Sequence, residues 1–134
     1  MRFLSMIALP VLLLAPAAFA NSPAGGKEPV AGEEMRRLVT QNRIYLSTPL
    51  GGELPLTYFA DGRVDGSGEA VGLGRWLAPK DQGRWWIAGN QLCQQWEQWY
   101  DGKRFCFTLE KAGPATVIWR RDDGYSGRAR LARR

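Results

Sequence analysis

Residues 83–107, GRWWIAGNQLCQQWEQWYDGKRFCF, constrain the fold more than any other stretch, because four of the six tryptophans and both cysteines fall inside it. Gly89-Asn90 and Asp101-Gly102 suit the positive backbone angles of tight hairpin turns, so the segment reads as three successive strands. Turns and cysteines then conflict. With Asp101 and Gly102 as the two central residues of a hairpin, Tyr100 opposes Lys103, Glu97 opposes Cys106 and Cys93 opposes Glu110. The cysteines would lie ~13 Å apart along the ladder at ordinary strand rise, whereas a disulfide needs Cα atoms within about 7 Å.

The amino terminus says which signal should prevail. Met1-Arg2 gives a basic start, residues 3–14 an apolar run and Ala18-Phe19-Ala20 a small-x-small cleavage site, so residues 1–20 are expected to be a signal peptide cut after Ala20. Pro10 interrupts the run, which is shorter than the ~20 apolar residues of a membrane span, and no later segment qualifies. Asn21 rather than a cysteine follows the cut, so no lipid anchor is expected. The expected location is periplasmic or secreted. In an exported chain two cysteines pair, and the tight turn should yield to a wider loop over residues 98–101, or to bulges, that sets Cys93 opposite Cys106. Such a bridge closes a loop of about fourteen residues and contributes ~3 kcal/mol on the chain-entropy view. Its C-x12-C spacing is structural, not that of a redox dithiol.

The residues after Ala20 are enough for one hydrophobic core and too few for two. Residues 21–30, NSPAGGKEPV, are small, polar and broken by two prolines, and read as a flexible leader outside the core. Residues 31–134 are expected to form a single β-rich domain. Residues 31–41 supply its one helix: Glu33 and Glu34 lie near the amino end, where the helix dipole favours them, and Met35, Leu38 and Val39 share a face. About three turns do not hold alone in water, so that face must dock on a sheet. From residue 42 onward, Gly, Asp-Gly and Gly-Asn punctuate short aromatic or branched runs. The expected strands are 54–60, 63–70, 73–78, 83–88, 91–99, 104–110, 115–120 and 125–132. In the last of these Gly127, Ala129 and Leu131 face inward while Ser126, Arg128 and Arg130 face water. The fold class is therefore mainly β, a single antiparallel meander or partly closed small barrel of about 7–8 strands with one short N-terminal helix packed on it. Asp61-Gly62-Arg63 echoes Asp123-Gly124-Tyr125, too briefly for a repeat architecture, and reads as one turn chemistry used twice.

Charge is unevenly placed. Residues 21–116 hold eleven Lys plus Arg against eleven Asp plus Glu, whereas residues 117–134 hold six arginines against Asp122 and Asp123. Those arginines suit either a solvated edge that discourages sheet aggregation or an anionic partner. Trp76, Trp85, Trp86, Trp96 and Trp99 read first as core, but adjacent Trp85 and Trp86 must point to opposite faces of a regular strand. Trp86 and Trp99, with Arg84, Arg128 and Arg130, are the candidate ligand-binding residues; Gln94, Gln95 and Gln98 add hydrogen-bonding capacity nearby. No catalytic residue, cofactor or metal site is expected. The chain has no histidine, the commonest general base and metal ligand, and neither Ser67 nor Ser126 sits in a G-x-S-x-G frame. Glu97 and Asp101 are acids beside a turn, where solvation is the rule. The spacing of Asp61, Asp65 and Glu69 is not that of an EF-hand.

The order of MRRLV, LTYFADGRVDGSG, GRWWIAGNQLCQQW and RFCF resembles small exported alphaproteobacterial proteins of unknown function. Its most specific element is carried by Gly83, Trp85, Gly89, Leu92, Cys93 and Trp96. The resemblance implies a periplasmic, disulfide-linked β-domain and no particular activity. Two functions follow as expectations: a non-enzymatic accessory or binding domain for an anionic envelope glycan or polymer, or a protein-facing module such as an inhibitor of an envelope or secreted enzyme. Neither involves nucleic acid.

Overall fold

The computed structural model describes residues 26–49, 51–68 and 79–134. Its elements are β1 (Glu28–Val30), α1 (Gly32–Gln41), β2 (Asn42–Ser47), β3 (Glu53–Tyr58), β4 (Arg63–Ser67), β5 (Lys80–Ala88), β6 (Gln91–Trp96), β7 (Arg104–Lys111), β8 (Thr116–Arg121) and β9 (Ser126–Arg133). Each of β2 to β9 pairs antiparallel with the next strand in sequence, and β9 returns to pair with β2. Eight strands thus close into an up-and-down barrel, which removes the exposed edges an open meander would leave. Period-2 alternation fills the inside. Leu54, Leu56 and Tyr58 point in from β3, Leu92 and Trp96 from β6, and Val117 and Ala129 from β8 and β9. The helix docks Met35, Leu38 and Val39 over one end, as their shared face requires.

The expected strands correspond to β3 through β9, except that residues 73–78 lie outside the described residues. Two elements differ from expectation. β2 was hidden because no turn separates it from the helix: α1 runs straight into it at Asn42, whose Nδ2 donates to the Leu38 carbonyl at 2.8 Å and stops the helix there. The leader is not wholly outside the core either, for Glu28–Val30 forms β1 and Val30 is 2% exposed. The cause is an edge left open on β7. β8 covers one edge of Phe107–Lys111, while β6 covers the other edge only over residues 104–107, so β1 pairs with Leu109, Glu110 and Lys111.

The conflict between turn and cysteines is settled by the cysteines. Cys93 stands directly opposite Cys106, with Cα atoms 4.0 Å apart, and the two are joined. β6 therefore ends at Trp96, and β7 begins after a wider loop containing a 3₁₀ turn at Trp99–Gly102. Tyr100 and Asp101 adopt φ of 56° there, a left-handed conformation that costs L-residues about 1–2 kcal/mol each. Gly89 takes φ 62° and, with Asn90, joins Ala88 to Gln91 in the expected two-residue turn.

The Asp61-Gly62 turn is one residue longer than a tight hairpin. Phe59 N–H donates to the Arg63 carbonyl at 2.8 Å and Gly62 N–H to the Phe59 carbonyl at 3.0 Å. The same pattern recurs where Arg121 N–H donates to Tyr125 at 2.7 Å and Gly124 N–H to Arg121 at 3.0 Å. In both turns the aspartate Oδ1 accepts the N–H two residues on, so the echo in the sequence is one turn built twice.

Replacing Cys93 and Cys106 together by serine should lower unfolding stability by about 3 kcal/mol, seen as a lower urea midpoint. Intact mass should rise by two protons on reduction of the wild-type chain; an unchanged mass would refute the bridge.

Candidate functional site

The helix covers the barrel end where β2 starts, so the opposite end is bordered by the β2–β3, β6–β7 and β8–β9 connections. Its filling is uneven. Gly66, facing inward from β4, leaves space that the Trp96 and Trp99 rings occupy: a Cβ there would strike the Trp99 ring and come within 2.9 Å of Trp96 Cη2. The two rings pack with centroids 4.7 Å apart on the β4–β5 side. Buried Asp81 holds that arrangement, its Oδ2 accepting the N–H groups of Gln98 at 2.9 Å and Trp99 at 2.8 Å. The other half of the mouth keeps a pit of about 270 Å³, walled by Leu46, Leu54, Phe105, Phe107 and Trp119. Leu46, Gln94, Phe107 and Trp119 line both this pit and the narrow apolar space beneath it, and Gln94 is the polar member of that shared floor.

The floor is polar and the walls are mainly apolar, with Ser47, Thr48, Tyr100 and Arg121 also in the lining. Gln94, 5% exposed, projects inward between Trp85 of β5 and Phe105 of β7, its partners across the two ladders. Its Oε1 accepts the Tyr58 hydroxyl at 2.6 Å. Burial pushes the Tyr58 phenol well above its ordinary range, so it stays a donor. Trp119 lies across Gly127, where a Cβ would come within 2.6 Å of Cζ2, and its Nε1 is buried with no hydrogen-bond partner.

At the rim, Arg121 makes two 2.7 Å hydrogen bonds to Asp123 and lies 4.3 Å from the Phe105 ring centroid and 4.8 Å from that of Tyr125. These bonds hold the Asp123 carboxyl below its usual range. The cation is matched on the spot. Tyr100, 40% exposed, stands edge-on to Phe105 at 5.5 Å, and Tyr125 is 67% exposed.

The candidate residues read from sequence do not converge here. Trp99, expected at the surface, is 1% exposed, because the wide loop that the disulfide imposes turns its ring into the barrel. Trp86 does face outward, opposite Cys93, with the Arg84 guanidinium 5.6 Å from its ring. Arg130 is bound by Glu53 through two 3.0 Å hydrogen bonds and lies over Tyr45, while Arg128 is exposed. Arg84 and Trp86 on β5 are four strands around the barrel from Arg128 and Arg130 on β9, so they share no surface. Trp76 lies outside the described residues. Gln94, Trp119 and Arg121 were not foreseen as a group. Period-2 counting offered a signal, since Gln94 falls between inward Leu92 and Trp96, and Arg121 continues the inward series Val117, Trp119.

The molecule is thus a closed eight-stranded barrel with a helix over one end and an aromatic pit in the other. No family model, curated protein or solved structure matches the chain. Among the described residues no group of three or more His, Cys, Asp or Glu is placed to hold a metal ion.

Three carboxylates are ion-paired: Glu34 of α1 bonds Lys111 of β7, Glu53 of β3 bonds Arg130 of β9, and Asp123 bonds Arg121 within the β8–β9 turn. Hydrogen bonds from those cations lower all three pKa values. A lowered native pKa stabilises above the ordinary carboxylate range of about 4 and loses that effect as pH falls through the native value. The melting temperature should therefore be flat with respect to these groups from about pH 5 to 7 and fall below about pH 4. Because the pairs are exposed, 0.5 M salt should shrink the pH dependence.

Proposed function

We propose that the protein is a non-enzymatic binding domain of the exported compartment, taking a small ligand into the pit at the end of its barrel opposite the helix. The pit carries this reading: a concave, mostly apolar space with a few polar groups, Gln94 among them, is the common form of a small-molecule site, and barrels of eight strands have room for one such ligand. The joined cysteines and the lack of a free thiol are compatible with an oxidising location.

The anionic-polymer reading has less support, because its residues lie on separate walls and Arg121 and Arg130 are already matched by Asp123 and Glu53. A partner protein at the same end is the second reading, favoured by the exposed rings of Tyr100 and Tyr125 on the rim.

Amide and indole N–H spectra of the ¹⁵N-labelled protein separate these readings. Small neutral aromatic fragments should shift signals of Leu46, Phe105 and Trp119, and Leu46→Trp, which fills the pit, should abolish the shifts while the melting curve stays cooperative. Shifts confined to Arg84, Trp86 and Arg128 on adding a soluble anionic glycan, with none in the pit, would overturn the proposal.

A further inference from the structure

Resting on the binding reading above, we propose that the pit selects a neutral carbonyl compound of about ten non-hydrogen atoms, its carbonyl oxygen accepting from Gln94 Nε2. Size comes first. A pit of about 270 Å³ has room for one substituted ring. The walls, Leu46, Leu54, Phe105, Phe107 and Trp119, offer aliphatic and aromatic contact, and the one charged group of the lining, Arg121, is paired with Asp123.

Polarity comes from the floor. Tyr58 holds Oε1 of the Gln94 amide at 2.6 Å, which leaves Nε2 as the end that meets an occupant, and among the described residues no acceptor takes its hydrogens. An amide has two donors and one acceptor oxygen; with Tyr58 on that oxygen, the floor turns its N–H groups to an occupant and favours an acceptor oxygen there. Net charge is disfavoured separately. Inside the pit an ion would lose much of its hydration, and Arg121, the cation of the lining, is already neutralised by Asp123 through two hydrogen bonds. A carboxylate drawn to Arg121 would sit beside the Asp123 carboxylate, and an ammonium would face an amide N–H.

Four probes of nearly equal size test this: acetophenone, benzoate, benzylammonium and ethylbenzene, each titrated at pH 7 and followed by side-chain amide and indole signals. Acetophenone should bind at least tenfold more tightly than benzoate or benzylammonium and several-fold more tightly than ethylbenzene, and the Gln94 side-chain amide signals should move downfield. The double variant Tyr58→Phe, Gln94→Leu removes both partners of the internal hydrogen bond, which spares the fold an orphaned hydroxyl. It should bind acetophenone and ethylbenzene equally. Should that variant not fold, the wild-type Gln94 amide shift and the ranking of the four probes still decide. Benzoate binding as tightly as acetophenone, or acetophenone binding with the Gln94 amide unmoved, overturns the carbonyl assignment while leaving the pit as a binding site. No pit shifts with any probe would instead overturn the binding reading itself.

Discussion

The pairing of Cys93 with Cys106 sets the register between β6 and β7, and much of the open end depends on it. With those residues opposed, the chain between Trp96 and Arg104 is too long for a two-residue turn and must make a loop. That loop sends Trp99 into the barrel against Trp96, and puts Tyr100 on the rim beside Phe105. Asp81 bonds the loop from β5, so the excursion is anchored at both the covalent and the hydrogen-bonding level. Left-handed backbone at Tyr100 and Asp101 is the strain that accompanies it.

The mouth is half filled because of what the other strands permit. Gly66 accommodates two indole rings on one side, and Gly127 lets Trp119 lie flat on the opposite wall. The space between them is what Leu46, Leu54 and Phe107 leave uncovered. Apolar walls around one amide form an environment in which a single hydrogen bond discriminates strongly, since its unmade counterpart has no water to turn to.

Much of the architecture was legible in the sequence because its devices are local. Period-2 alternation from Gly127 to Leu131, the Gly89-Asn90 turn, and the Met35-Leu38-Val39 face each act within a few residues. What escaped was non-local. β1 exists only because β6 leaves part of β7 uncovered, and nothing in NSPAGGKEPV announces that edge. The hydrogen bond that Gln94 accepts inside the barrel comes from Tyr58, thirty-six positions away. Trp99 looked like a surface residue because its direction is fixed by a loop, not by strand alternation. The two arms of the supposed surface, Trp86 with Arg84 and Arg128 with Arg130, were separated by barrel curvature that no linear count reveals.

The barrel's meander order has a kinetic consequence. Seven of its eight seams join strands that are neighbours in the chain; the eighth joins Asn42–Leu46 to Ala129–Arg133 and spans nearly the whole domain. Loop-closure entropy makes so distant a contact the slowest to reward itself. Hairpins can zip in sequence, but the cylinder exists only once the C-terminal strand arrives. During synthesis β2 must therefore wait with an open edge until β9 emerges.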